Sequence, residues 1–70
     1  MASRYPWAIQ LSDGRWFHGW GWAEGVETMV PKFGNITIVA AKWKRKKYAA
    51  KELARLRALD LHVHCVKWEV

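Results

Sequence analysis

The residue types that could do chemistry in this 70-residue chain are cations, tryptophans and a short histidine–cysteine run. Lys44, Lys47, Lys51 and Arg55 recur at three- and four-residue spacing, so on a helix they form one line. Lys46 and Arg57 flank the apolar stripe on the other side of that helix, and Trp43 stands just before it. Fixed cations beside aromatic rings suit a polyanion whose bases can stack, which is the pattern of nucleic-acid binding. An acidic protein surface would answer the same charges. The bland reading is that an amphipathic helix simply turns its charged side to water.

His62, His64 and Cys65 come closest to a metal site. On a strand, alternation puts both rings on one face and the thiol on the other. His18 is the one further histidine, and a tetrahedral site asks for four ligands. The expectation is therefore half-exposed sheet histidines, a small apolar cysteine, and no metal or other cofactor. No phosphate-binding glycine loop is present, and no serine stands near a plausible base. Asp13 belongs to a turn and Asp60 to a link, so a non-enzymatic protein is expected.

Four of the six tryptophans fall in YPWAIQLSDGRWFHGWGW, residues 5–22. Asp13-Gly14 between alternating apolar residues predicts a β-hairpin with a two-residue type I′ turn. That turn pairs Leu11 with Trp16, Ile9 with His18, Trp7 with Trp20 and Tyr5 with Trp22. Opposed residues share a face. One face would then carry Trp7, Trp16, Trp20 and Trp22 together with Tyr5, Ile9, Leu11 and His18. The other would carry Phe17, Gly19 and Gly21. The tryptophans form either the core or an open stacking platform, and a one-residue slip would exchange the faces of one strand.

The remaining elements follow from composition and period. Residues 24–35 hold breakers at Gly25, Pro31, Gly34 and Asn35, and read as a surface loop with an optional short strand over the alternating Val26, Thr28 and Val30. The β-branched run ITIVAA, residues 36–41, reads as a third strand. Residues 44–59 are rich in helix formers, with Ala49, Leu53, Leu56 and Leu59 on one face. Residues 61–70 read as a final strand, with Leu61, Val63 and Cys65 on one side and His62, His64, Val66 and Trp68 on the other. The expected fold is one α+β domain over residues 1–70: an N-terminal β-hairpin, a third strand, one amphipathic helix and a final strand. This β-β-β-α-β order makes two layers and a mostly antiparallel sheet, with the final strand parallel to a neighbour because a helix carries the chain to it. An edge strand of such a sheet could pair two copies into a homodimer.

A net charge of +6 favours polyanionic partners. No apolar run approaches the roughly 20 residues that cross a bilayer. The start MASRYPW has no secretory core and there is a single cysteine, so a cytoplasmic protein is expected.

The layout of IQLSDGRWF at 9–17, KKYAAKELARL at 46–56 and the closing VHCVKWEV resembles a class of very short bacteriophage-encoded proteins. The resemblance implies an accessory or host-takeover role, including inhibition of a host defence complex such as a CRISPR effector. It carries no functional residue across. A basic chain does not mimic DNA, so such an inhibitor would cover an acidic or mixed surface, or bind nucleic acid itself. The leading expectation is a basic module that contacts nucleic acid through its helix, with a phage-type inhibitor of a host protein as the alternative.

Overall fold

The structure, a computed structural model, describes residues 5–67. Trp68 and the expected tail at residues 1–4 lie outside them. Five strands form one sheet and a single helix packs on it: β1 (Trp7–Leu11), β2 (Trp16–Trp22), β3 (Met29–Gly34), β4 (Lys42–Trp43), α1 (Lys46–Arg57) and β5 (Val63–Lys67). This is the small α+β fold expected.

The hairpin forms, but its turn is one residue longer than expected. Leu11 N–H donates to the Arg15 carbonyl at 2.8 Å, and Gly14 N–H to the Leu11 carbonyl at 2.9 Å. Gly14 takes φ +99°. This is a type I turn closed by a left-handed glycine, the three-residue hairpin loop. Asp13 drives it: its carboxylate accepts from Arg15 N–H at 3.0 Å and from Arg15 Nε at 2.9 Å. Gln10 therefore opposes Trp16, and the expected Leu11–Trp16 register is off by one. The slip sends Phe17 inward, where it is 1% exposed, and turns Trp16 to the far face.

A second shift follows at once. A bulge between Phe17 and Gly19 moves the β2–β3 register, with Gly19 at φ +119°. A bulge adds one residue to one strand, so it restores the original alternation beyond it. Trp20 and Trp22 return to the face of Phe17, and the Phe17 and Trp20 rings meet edge to face at 6.0 Å. Two one-residue shifts cancel, leaving only Trp16 separated from the other tryptophans of the expected aromatic face.

After Trp16, β2 leaves β1. The vacated edge is taken by β4, where Trp43 pairs with Trp7 and Lys42 with Ala8. The opposite edge of β1 is paired along its whole length by β5, from Trp7–Lys67 to Leu11–Val63. Both β4 and β5 run antiparallel to β1. They are thus parallel to each other with β1 between them, and α1 is the crossover that joins them. The expectation of a parallel neighbour for the last strand is corrected: its neighbour β1 is antiparallel.

The third strand lies earlier than expected. Residues 29–34 form β3 despite Pro31, which is tolerable because β3 is an edge strand. The ITIV run is a turn instead, with Ile36 61%, Ile38 88% and Val39 54% exposed. β-Propensity lost here to pairing: a short link returns the chain beside β2 before the β-branched run is reached. Between α1 and the sheet the core is Ile9, Leu11, Phe17, Leu53, Leu56 and Val63, with Trp20, Phe33, Trp43 and Cys65 packed around it. Ala49 is buried as the helical period requires, but Leu59 lies beyond the helix and is exposed.

Candidate nucleic-acid or partner interface

Helix α1 begins without help. Arg45 is its N-cap, no side chain caps it, and its first turn carries Lys46 and Lys47 rather than an acid. Those charges oppose the helix dipole and cost a few tenths of a kcal/mol, up to about 1 kcal/mol. At the far end Arg55 and Arg57 suit the dipole, and Asp60 at φ +63° takes the left-handed closing position usually given to glycine.

Between Glu27 and Glu52 the chain has no acid, but it has Lys32, Lys42, Lys44, Arg45, Lys46, Lys47 and Lys51. Lys44, Lys47, Lys51 and Arg55 are all exposed, as is Lys46. Among the described residues, Lys44, Arg45, Lys46, Lys47 and Lys51 form no ion pair. Lys46 Nζ lies 5.5 Å from the centre of the Trp7 ring, and Lys47 Nζ 5.2 Å from that of Tyr48. Lys44 lies before the helix, so the helical line is Lys47, Lys51 and Arg55.

The far end of that line reaches the β2–β3 arm. Glu52 accepts a hydrogen bond from Trp20 Nε1 and pairs with Arg55 at 3.6 Å. The Arg55 guanidinium stands 6.0 Å from the Trp20 ring centre. Trp20, Thr28, Met29 and Arg55 line a cleft of about 480 Å³. Trp22, paired with Met29 at the end of the arm, is 68% exposed. The tryptophans expected as one aromatic face thus have different settings. Trp20 walls the cleft and Trp22 stands open beside it. Trp7 lies under Lys46, and Trp16 is on the reverse side. Trp43 is half-buried and stacked on Phe17, 6.2 Å between centres and 5° between planes. It is tied to the core rather than presented beside the helix.

His62, just before β5, and His64 on it are exposed, and Cys65 points to the helix face. Among the described residues no three His, Cys, Asp or Glu side chains gather as metal ligands. Burial pushes the Cys65 thiol above its ordinary pKa, against the opposing pull of Lys46 and Arg57. The Arg15 backbone N–H and guanidinium hold the Asp13 carboxyl below its ordinary range. No helix among the described residues is long and apolar enough to cross a membrane.

Sequence reasoning missed Thr28 and Met29 as cleft residues, Glu52 as the anchor of Trp20, and the exposed ITIV turn. A signal existed for the first: Val26, Thr28 and Val30 alternate beside Pro31, an edge-strand pattern. Comparison with protein-family models, with curated proteins and with solved structures finds no match.

Proposed function

We propose that this chain is a non-enzymatic module that binds single-stranded nucleic acid. Phosphates follow Lys44, Lys47 and Lys51, and bases stack at the Trp20–Met29 cleft and on Trp22. One observation carries the reading: Lys44, Lys47 and Lys51, exposed and without ion pairs among the described residues, lead along α1 to Arg55 and a cleft that it walls with Trp20. Unpaired bases can use such rings; stacked duplex bases cannot. The experiment is a titration of labelled single-stranded and duplex oligonucleotides at several salt concentrations. The reading expects single strands to bind more tightly, with affinity falling steeply as salt rises. Absence of binding at low salt would reject it, and so would indifference to reversal of Lys47, Lys51 and Arg55 to Glu in a folded variant.

One observation favours a second reading, an accessory or inhibitor that binds a host protein complex such as a CRISPR effector. The aliphatic turn at Ile36, Ile38 and Val39 is more exposed than a phosphate contact requires, and a protein surface would bury it. Pull-down from a nuclease-treated bacterial lysate tests this. A partner retained by the native chain and lost with Ile38→Ser supports it; a partner indifferent to that change removes it.

A further inference from the structure

Apart from the two-residue β4, the sheet has two edges, and they are not alike. The edge at β3 holds Pro31, which has no N–H to offer, and its partner β2 is bulged. Such features blunt an edge against further pairing. The edge at β5 has neither: five residues run in unbroken register against β1.

Hydrogen-bond alternation shows which backbone groups of β5 face outward. Ser12 N–H donates to the His62 carbonyl at 3.0 Å, in continuation of that register. Antiparallel pairs alternate, so His64 and Val66 also turn their backbone groups to β1, while Val63 and Cys65 turn theirs away. Arg57 verifies the parity, because its Nη2 reaches the Val63 carbonyl from outside at 3.1 Å. No described residue bonds the outward N–H of Val63 or either backbone group of Cys65. Two cations flank this edge, Arg57 and Lys46, which act on Cys65 from the helix side; the imidazoles of His62 and His64 stand on the reverse face. At its start an open cleft of about 490 Å³ is lined by Ser12, Arg57, Asp60, His62 and His64, with Leu61 and Val63 supplying apolar wall.

We propose that β5 accepts an extended acidic peptide as an added strand, with one carboxylate side chain seated in the cleft against Arg57. Main-chain bonds to Val63 and Cys65 give attachment, and alternate side chains of the incoming strand give selection. Carboxylates at every second position meet Arg57 and Lys46. A second copy of the chain is the poorer occupant, since two-fold pairing of β5 brings the Arg57 and Lys46 of both copies together. This inference does not rest on the nucleic-acid reading, because β5 and the cleft beside Trp20 share no residue.

The test uses an alternating Val–Glu octapeptide, its Val–Lys counterpart, and hydrogen exchange of the native chain. With the Val–Glu peptide, the fast outward amides of Val63 and Cys65 become protected, while the already paired His64 and Val66 change little. Arg57→Glu weakens binding by about tenfold or more, and Arg57→Gln, which keeps a donor to Val63, weakens it less. Equal binding of the Val–Lys peptide overturns the proposal. So does protection that leaves Val63 and Cys65 unchanged, or that appears at Cys65 with rising protein concentration and no peptide. The exchange measurement on the native chain decides the matter even where an Arg57 variant fails to fold.

Discussion

The β1–β5–α1 half of the molecule and the β2–β3 arm are built on different terms. In the first, every residue of β1 has a partner on β5, and Ile9 of the sheet and Leu56 of the helix are fully buried. In the second, two strands pair only with each other beyond Phe17, and the end carries exposed Trp22, Val26 and Met29. The overall extents, 42 × 22 × 20 Å, reflect that extension. A two-stranded ribbon is marginal alone in water. The arm therefore holds its shape by what it borrows: Phe17 at its root, and the Trp20–Glu52 bond to the helix. Order is made in one half, and the exposed Trp22 ring stands on the other.

The comparison breaks most completely at Phe17, which belongs to both halves. It touches Trp20, Phe33 and Trp43 and is buried to the last percent. Phe17→Ala is expected to cost about 3–5 kcal/mol, enough to threaten a domain this small. Urea unfolding measures it. A loss below about 1 kcal/mol would mean that the two halves do not share this core.

Gly19→Ala acts on the arm alone. Space is not the obstacle, since nothing lies within 4 Å of the added Cβ. The strain is in the backbone, because φ +119° is a conformation that side chains disfavour, at about 1–3 kcal/mol. The variant should unfold earlier in urea, and hydrogen exchange should quicken in β3 more than in β5. Uniform quickening would show that arm and core open as one unit.

Trp22→Ala separates binding from stability. The ring is 68% exposed, so the fold should change by no more than about 0.5 kcal/mol. If bases stack on it, affinity for a single strand should fall by about 1–3 kcal/mol, read by fluorescence anisotropy. Unchanged affinity would move the stacking role to Trp20 or remove it.

The same division explains what could be read from residues alone. The helix was legible because Ala49, Leu53 and Leu56 repeat at helical spacing and all are buried. β5 was legible from its alternation. The face assignment of β2 was not, because it depends on two single-residue events. Asp13-Gly14 fits both two- and three-residue loops, and choosing between them needs the Asp13–Arg15 bonds. The bulge at His18 shows in the sequence only as a neighbouring glycine. The ITIV run misled because β-propensity describes a side chain's fit to a pleated surface, not whether a partner strand is there to receive it. The cation line needed only the helical period, whereas the cleft at its end needed β3, which no local pattern places beside Arg55.

The smallest expected effect concerns Cys65, at the seam between sheet and helix. Its folded pKa is raised because burial disfavours the thiolate more than Lys46 and Arg57 favour it. A raised acid pKa means that the folded chain holds its proton longer than the unfolded chain. The resulting stability is full below the unfolded thiol pKa and is lost as pH rises through the folded value. Stability measured by urea should therefore slope downward on the alkaline side, and Cys65→Ser should flatten that slope. Alkylation by iodoacetamide near neutral pH should be slower than for an unfolded thiol, since the thiolate is the nucleophile. Replacing Lys46 and Arg57 by Gln should slow it further, because the two charges that oppose the burial effect are then gone. Faster alkylation in that variant would mean that the helix had lifted from β5, and that the firm half of the molecule depends on those cations after all.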